Sequence, residues 1–519
     1  MLRRLIGPIA LSLLSGLLLL FSFPAFDLGM LAWFALVPLL LAIRKTSWGA
    51  AFGLGWLAGL VFYAGALSWV VNAMHEYGKV PLTVSYPVMF LLAAYCALYV
   101  AVFASLFSKT AGRRRMYVVW AAPALWVSLE LLRTHLFSGF PWALLGYSQY
   151  RNLRVIQMAD VTGVYGVAFV LVLVNVVAAQ FAESVRSRIM VTERPTPLPW
   201  IAATLTATLV TGIVAYGHWR LDPHTDSGTD HAVRIGLVQA NVDQAHKWDA
   251  AYRRETIDRY KRLTAQATQG ADLIIWPEAA TPFLFEVEAD YRNELLTFVR
   301  DHGVPLLFGT PAIKDQVGGQ LRLLNSAFLV SGDGSVLDRY DKLHLVPFGE
   351  YIPLKEILGF LDKLVVGIGD FVPGPGPSVM TGPRGRFGTV ICFEVIFPDL
   401  VRRFVDQGAD YMVTITNDAW FGRSSAPYQH FAMVVFRAVE NRVFFARAAN
   451  TGISGFIDAD GHILRKTDIF VEDTLIGEVH AGGPRTFYTA YGDLFAYGCV
   501  ILTLLAAAVP RRPAHSRLY

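Results

Sequence analysis

The chain has 519 residues, of which 54% are hydrophobic and only 17% charged, with a mean hydropathy of +0.42. That is too apolar for a soluble protein of this length and requires membrane spans. A net charge of +4 offers no footing for nucleic acid, and three cysteines, Cys96, Cys392 and Cys499, cannot build a disulfide framework.

In chain order, the first apolar run is Leu5–Phe23, behind Arg3 and Arg4. No small-residue cleavage site follows it and more apolar runs do, so it reads as a retained span rather than a signal peptide. Further runs cover Leu28–Ile43, Ala50–Val71, Val84–Phe107, Tyr117–Leu132, Val161–Phe181 and Trp200–Tyr216, and the last covers Tyr488–Val509. A helix crosses the hydrocarbon core with about 20 residues, so the shorter runs borrow from their flanks, and about eight spans are predicted. One set of connecting segments carries fourteen Lys and Arg, among them Arg44, Lys109, Arg115, Arg186 and Arg512. The alternate set carries four: Lys79, Arg133, Arg151 and Arg154. Basic loops stay cytoplasmic, which places both termini inside and Gly217–Phe487 outside, in the periplasm of a bacterium. The predicted domains are a seven-span bundle over 1–216, a catalytic domain over 217–487, and a final span with its tail over 488–519.

Glu130 and Arg133 lie one helical turn apart at the outer end of the fifth span, close enough to pair. Ser138-Gly-Phe-Pro-Trp-Ala143, with Trp142, follows in an outer loop. The plainer reading is an interfacial aromatic anchor beside a snorkelling arginine. The sharper one is a loop that touches a lipid headgroup or an acylated substrate.

From Ala232 the pattern changes to α/β. Val233–Val242 reads as a strand, Ala250–Thr268 as a helix, and Asp272–Trp276 as a strand ending in Pro277-Glu278. Glu294–Asp301 is helical and Val304–Gly309 a strand. Asn325–Val330 and Ser335–Tyr340 flank Gly332-Asp333-Gly334, a hairpin signal. Thr389–Cys392 is a short buried strand, and Pro398 opens a helix that stops at Gly408. Tyr411–Thr416 is a strand and Tyr428–Ala446 a helix, and a second hairpin joins Gly455–Ile457 to His462–Arg465. This order predicts a layered sandwich with the sheets inside.

Cys392 is the cysteine in a polar, sheet-like setting; the other two lie in apolar runs. A nucleophile at the carboxyl end of a strand, just before a helix, sits where open α/β sheets place their chemistry. Glu394 adds a carboxylate two residues on. The plainer reading of such a thiol is a small buried hydrophobe. Glu278 and Lys342 also recur at strand ends, and a role for each beside a thiol can be argued physically. A thiol is only a few per cent ionised at about pH 7 and needs a base or a cation. A desolvated glutamate accepts its proton, and a lysine favours the thiolate and the oxyanion that follows. His344 and His430 lack the setting of a Cys/His pair. Taken singly, each of these residue types is more often a solvated loop residue.

Trp276-Pro-Glu278, Tyr340-Asp-Lys-Leu-His-Leu345 and Ile391-Cys-Phe-Glu394 resemble the Glu-Lys-Cys signature of the nitrilase (carbon–nitrogen hydrolase) superfamily over about Val233 to Val479. The run His344–Tyr351, which holds Glu350, narrows the resemblance, as do Gly139-Phe-Pro-Trp142, Thr416-Asn-Asp-Ala-Trp-Phe-Gly422, Arg447-Ala-Ala-Asn-Thr-Gly452 and Tyr491-Gly-Asp493. With them the chain resembles the apolipoprotein N-acyltransferase family over essentially its whole length.

That resemblance implies a helical membrane bundle joined to an α-β-β-α sandwich, with Glu278 as base, Lys342 as oxyanion and thiolate stabiliser, and Cys392 as nucleophile. Glu350, Glu394, Trp248, Phe393, Trp420 and Trp142 match supporting or substrate-contacting positions. The implied reaction moves a fatty acyl chain from a phospholipid, usually phosphatidylethanolamine, onto the thiol, and then onto the amine of a diacylglyceryl-cysteine at a lipoprotein N-terminus. No cofactor or metal is implied, and a monomer is expected. Phe393 departs from relatives that carry Tyr after the nucleophile, so any role of that hydroxyl is in doubt, while the backbone N–H of Phe393 can still serve an oxyanion hole. Pro353–Pro373, rich in Leu, Ile, Phe and Val, reads either as an amphipathic cap packed on the domain or as a mobile lid that dips into the bilayer. Two other classes compete. A membrane-anchored amidase needs one anchor rather than eight spans. A transporter or scaffold carries ionisable groups near mid-span or loses a triad member, whereas the charges here, Glu130 and Asp493, lie near span ends.

Overall fold

The computed structural model describes residues 2–44, 46–110, 115–190, 196–222, 232–317, 320–351 and 370–508, and the chain divides into two units. The first comprises Met1–Leu67, Val88–Trp219 and Asp493–Tyr519; the second comprises Ser68–Pro87 and Arg220–Gly492.

Among the described residues, five helices are long and apolar enough to cross a bilayer: Trp48–Ala66, Leu82–Ser108, Arg115–His135, Ala159–Ile189 and Trp200–Arg220. Three further predicted spans correspond to the shorter apolar stretches Ile6–Phe21, Gly29–Ile43 and Leu494–Ala508. The second of these is not one helix, as the apolar run suggested, but a 3-10 turn over Gly29–Trp33 and a short helix over Val37–Ile43. Pro38 explains the break, because its ring fits only a helix's first turn. The freed Leu36 N–H donates to Asn175 Oδ1 at 2.8 Å, and Asn175 Nδ2 donates to the Ala32 carbonyl at 2.9 Å. The last predicted run is also split: Gly492, at φ +59°, separates Phe487–Tyr491 from Leu494–Ala508.

Glu130 and Arg133 turn to different partners. Glu130 accepts the Leu145 N–H at 2.8 Å, while Arg133 donates to the Trp142 carbonyl at 2.8 Å and lies over the Tyr63 ring. Arg133 is 1% exposed, so it does not snorkel; carbonyls and a π face replace its water.

The second unit is built on two sheets. Thirteen strands run in chain order: β1 (Ala232–Gln239), β2 (Leu273–Ile275), β3 (Leu306–Val317), β4 (Gln320–Val330), β5 (Val336–Asp341), β6 (Asp370–Phe371), β7 (Val379–Gly382), β8 (Gly385–Ile391), β9 (Tyr411–Thr416), β10 (Phe445–Ala449), β11 (Gly455–Ile457), β12 (Ile463–Lys466) and β13 (Asp473–His480). One sheet has the order β13-β1-β2-β3-β4-β5, with β6 beside β4; the other has the order β12-β11-β10-β9-β8-β7. The middle strands β1, β2 and β3 are parallel, as are β8, β9 and β10. Their carboxyl ends therefore share one edge of each sheet.

The helices Arg253–Ala267 and Ala289–His302 cover the outer face of the first sheet. Tyr260, Leu263, Leu295 and Val299 are buried in one core with Trp276, Phe308 and Phe328. Each such buried side chain contributes about 1.5–3 kcal/mol. Pro398–Asp406 and Ala426–Asn441 pack on the second sheet, and β1 faces β10 across the middle. The result is the α-β-β-α sandwich.

Several elements differ from those read in the sequence: β3 runs on to Val317 rather than stopping at Gly309, β4 starts at Gln320 rather than Asn325, and the second helix starts at Ala289 rather than Glu294. The helix expected to run to Ala446 stops at Asn441, because Arg442 takes a left-handed conformation (φ +54°) and reverses the chain. Phe445–Ala449 then becomes a strand buried on both faces, and with Arg447 in its middle and alanine on either side it shows no two-residue alternation that would separate it from a helix. Strand β13, which pairs with the whole of β1, has no alternating pattern because most of it is half-exposed. The Pro353–Pro373 segment lies outside the described residues except for its last four.

Candidate active site

Trp276 fixes the first site residue. Its ring stacks on Tyr260 at 4.7 Å and its Nε1–H donates to Thr264 at 2.8 Å, so the end of β2 is pinned and Pro277-Glu278 leaves it in one direction. Gly309 of β3 passes directly beneath: a Cβ there would stand 2.7 Å from Glu278 Cα and from the Ala279 nitrogen. Glu278 Oε1 accepts the Asn325 side-chain amide at 2.7 Å, and Oε2 accepts the Asn417 N–H at 2.9 Å.

Lys342 follows β5 and is 1% exposed. Its ammonium donates to Glu350 Oε1 at 3.0 Å and reaches Glu278 Oε1 at 3.4 Å. Asn325 Nδ2 also donates to Glu350 Oε1, at 2.8 Å, so one ammonium and one amide tie the buried Glu278 to the partly buried Glu350. Burial alone would lower the lysine's pKa, but Glu350, Glu278, Cys392 and Glu394 outweigh it and hold Lys342 above its ordinary value. Glu350 Oε2 accepts the Val346 N–H at 2.8 Å, closing the loop that carries it.

Cys392 follows directly on β8 with φ +52° and opens the 3-10 turn Cys392–Ile396. Burial first, and then the charge of Glu278, push its thiol above the usual range, against the pull of Lys342. The lysine thus favours the thiolate without producing it at rest.

Glu394 does not face this thiol. Its Oε1 accepts Tyr340 O–H at 2.8 Å, Leu343 N–H at 2.7 Å and His344 N–H at 3.1 Å, and its Oε2 accepts Ile391 N–H at 2.7 Å. Burial pushes its carboxyl up to about 7, and the Ile391, Leu343 and His344 amides pull the other way. Four donors converge on its two oxygens, so the ionised form is the one that satisfies them.

The structure thus gathers Glu278, Lys342, Cys392 and Glu350, with Glu394 bracing the turn behind. Phe393 is 8% exposed and packs edge-on against Phe397. Trp248 is 36% exposed. Trp420 meets Tyr77 edge-on, and its carbonyl accepts Asn72 Nδ2 at 3.2 Å. Trp142 is fully buried in the first unit.

Residues 15–177 match the apolipoprotein N-acyltransferase N-terminal domain, and residues 234–485 match the carbon–nitrogen hydrolase domain. The chain is 45% identical over 504 residues to the apolipoprotein N-acyltransferase of Geobacter metallireducens, covering 97% of this chain and 95% of that one. It is 34% identical over 545 residues to that of Chlorobaculum tepidum, covering 98% of each. The chain belongs to the apolipoprotein N-acyltransferase family. An amidase of the nitrilase superfamily from Nesterenkonia AN1 superposes with a TM-score of 0.37 at 22% identity, covering 51% of this chain and 96% of that one.

Several residues around the reactive set carried no role in the sequence reading. Asn325 is a lone amide in the apolar run Leu323–Val330, and that is the signal that marks it. Asn417 and Asp418 lie in the Thr416–Gly422 motif, where their individual duties were not legible. Lys247 hides beside Trp248 in a charged stretch, yet it is 1% exposed and its Nζ donates to the Glu278 carbonyl at 3.1 Å.

Burial pulls Lys247 down to about 8, against the charge of Glu278. Its folded pKa lies below the ordinary 10.5, so the unfolded chain binds more protons between about pH 8 and 10.5. The stability at this site is therefore least below about pH 8 and rises through that window. The melting-temperature difference between wild type and Lys247→Met should move in favour of wild type from about pH 8 to about pH 10. A flat or opposite trend contradicts a buried, paired Lys247.

Proposed function

We propose that this chain transfers a fatty acyl group from a membrane phospholipid to the N-terminal amine of a diacylglyceryl-cysteine lipoprotein, through a thioester on Cys392. The observation that carries this reading is the buried Lys342 ammonium shared by Glu278 and Glu350 beside Cys392, in a chain alignable end to end with apolipoprotein N-acyltransferases. It is an acyltransferase and a multi-pass protein of the bacterial inner membrane.

Glu278 takes the Sγ proton as sulfur attacks the ester carbonyl of the phospholipid. The oxyanion that forms is met by Lys342 and the Phe393 N–H. Collapse breaks the C–O bond, Glu278 returns the proton to the glycerol oxygen, and a lysophospholipid leaves. The lipoprotein amine then gives a proton to Glu278 and attacks the thioester; the amide forms and the thiol is restored. A buried site limits loss of the thioester to water. In this reading the donor is phosphatidylethanolamine, the enzyme acts as a monomer, the catalytic domain is periplasmic and both termini are cytoplasmic, as the fourteen-to-four distribution of basic residues favours.

The test is the intact mass of the purified protein after incubation with phosphatidylethanolamine, wild type beside Cys392→Ala. One added acyl mass is expected, absent from the variant and discharged by a diacylglyceryl-cysteine peptide. No adduct, with turnover of a small amide, would instead make it an amidase. Gly309→Ala should push Glu278 aside, slowing adduct formation about 100-fold at a stability cost of about 1–3 kcal/mol. An unchanged rate would mean that the base is not held from below.

A further inference from the structure

We propose that His430, locked by Arg447 and Asp418, is a positioning residue that aims the Phe393 N–H at the reaction oxyanion. The inference rests on the acyltransfer reading above. His430 Nε2 lies 3.2 Å from the Cys392 carbonyl oxygen. A carbonyl only accepts, so Nε2 carries the hydrogen. Nδ1 then presents its lone pair, and Arg447 Nη2 stands 3.0 Å away to donate to it. The same Arg447 nitrogen donates to Asp418 Oδ2 at 2.7 Å, its Nε–H donates to the Ile453 carbonyl at 3.1 Å, and Thr416 O–H donates to Asp418 Oδ1 at 2.9 Å. Asp418 Oδ1 also lies 3.1 Å from Nδ1. Burial and the Arg447 charge hold the imidazole below its ordinary pKa, which keeps the ring neutral and the tautomer single.

The cluster joins the end of β9, the middle of β10 and the helix Ala426–Asn441, and its three side chains are at most 1% exposed. Its reach to the nucleophile is through the main chain, at the one peptide whose orientation matters. In a trans peptide the C=O and the following N–H point in opposite directions. Anchoring the Cys392 carbonyl inward on His430 therefore turns the Phe393 N–H outward, to the side of attack. The left-handed φ of Cys392 is costly for an L-residue, and the hydrogen bond from His430 helps to offset that cost.

Two reactions of Cys392 separate this role from simple folding. Alkylation by iodoacetamide forms no oxyanion; acylation by phosphatidylethanolamine does. In the full-length protein, His430→Leu should slow acyl-enzyme formation at least about 100-fold, while alkylation of the Cys392 peptide stays within about threefold of wild type. His430→Gln, which retains an N–H donor, should recover acylation to within about tenfold of wild type. The proposal is overturned if the leucine variant acylates normally, if both reactions fall together in it, or if the glutamine variant is as slow as leucine. A wild type that is alkylated but never acylated would overturn the acyltransfer reading itself, and this inference with it.

Discussion

Lys342→Met should form no measurable acyl-enzyme, with a rate at least about 1,000-fold below wild type, in a protein that still contains its thiol and its base. Methionine matches the lysine stem in length and removes only the charge. In wild type that charge sits 3.0 Å from Glu350 and 3.4 Å from Glu278, two carboxylates that also share the Asn325 amide. Without the ammonium the buried Glu278 and the partly buried Glu350 are left to repel each other, a fault that costs at most about 3–5 kcal/mol of stability. The thiol also loses the cation that favours its ionised form, and the tetrahedral oxyanion loses a donor. Intact mass after phospholipid exposure reads the rate, and thermal melting of the detergent-solubilised protein reads the stability. Adduct formation at more than about a tenth of the wild-type rate would remove Lys342 from the oxyanion site. A lost rate with unchanged melting would mean that the carboxylates are solvated in the working enzyme rather than buried against each other.

The second large effect is expected at Glu394, a residue that touches no reacting atom. Three donors meet Oε1 and one meets Oε2. Glutamine is the same size but has one acceptor oxygen. Placed toward Tyr340, Leu343 and His344, it turns its NH2 on the Ile391 N–H; flipped, it turns that NH2 on the other three. Either way a buried donor is orphaned, at about 1–3 kcal/mol. Ile391 precedes the nucleophile and Leu343 follows Lys342, so the same carboxylate fixes both ends of the chemistry. Loosening it should lower the acylation rate about 100-fold together with the melting temperature. Glu394→Asp keeps the charge with a shorter reach and should fall between wild type and Glu394→Gln on both measurements. Wild-type acylation in the Gln variant would show that the turn holds without its brace.

The two residues differ in how plainly the sequence announces them. Lys342 and Cys392 close short apolar strands, and Glu278 follows a buried tryptophan, so strand-end polarity marks all three. Glu394 is visible only as a carboxylate two residues from the cysteine, which suggests a place in the reactive pocket. Its true neighbours are main-chain amides 50 and 51 residues away. Lys247 is harder still, because nothing local separates a lysine that will be solvated from one buried beneath the Glu278 turn.

By itself the sequence determined the division into a membrane bundle and an α/β domain, the apolar segments of the bundle and the polar residues that follow apolar strands. These follow from local properties: runs long enough for a bilayer, basic residues between them, and a polar residue ending an apolar strand. Tertiary structure alone decided that Leu28–Ile43 is broken over Asn175, that Phe445–Ala449 is a strand, and that Asn325 and Lys247 attend Glu278. It alone brought His430 behind Cys392. Each of these choices depends on a partner more than 30 residues away, or on a strand of the sheet that periodicity cannot supply. A buried polar group takes whichever partner the packed fold brings to it, and the cost of leaving it without one selects the arrangement.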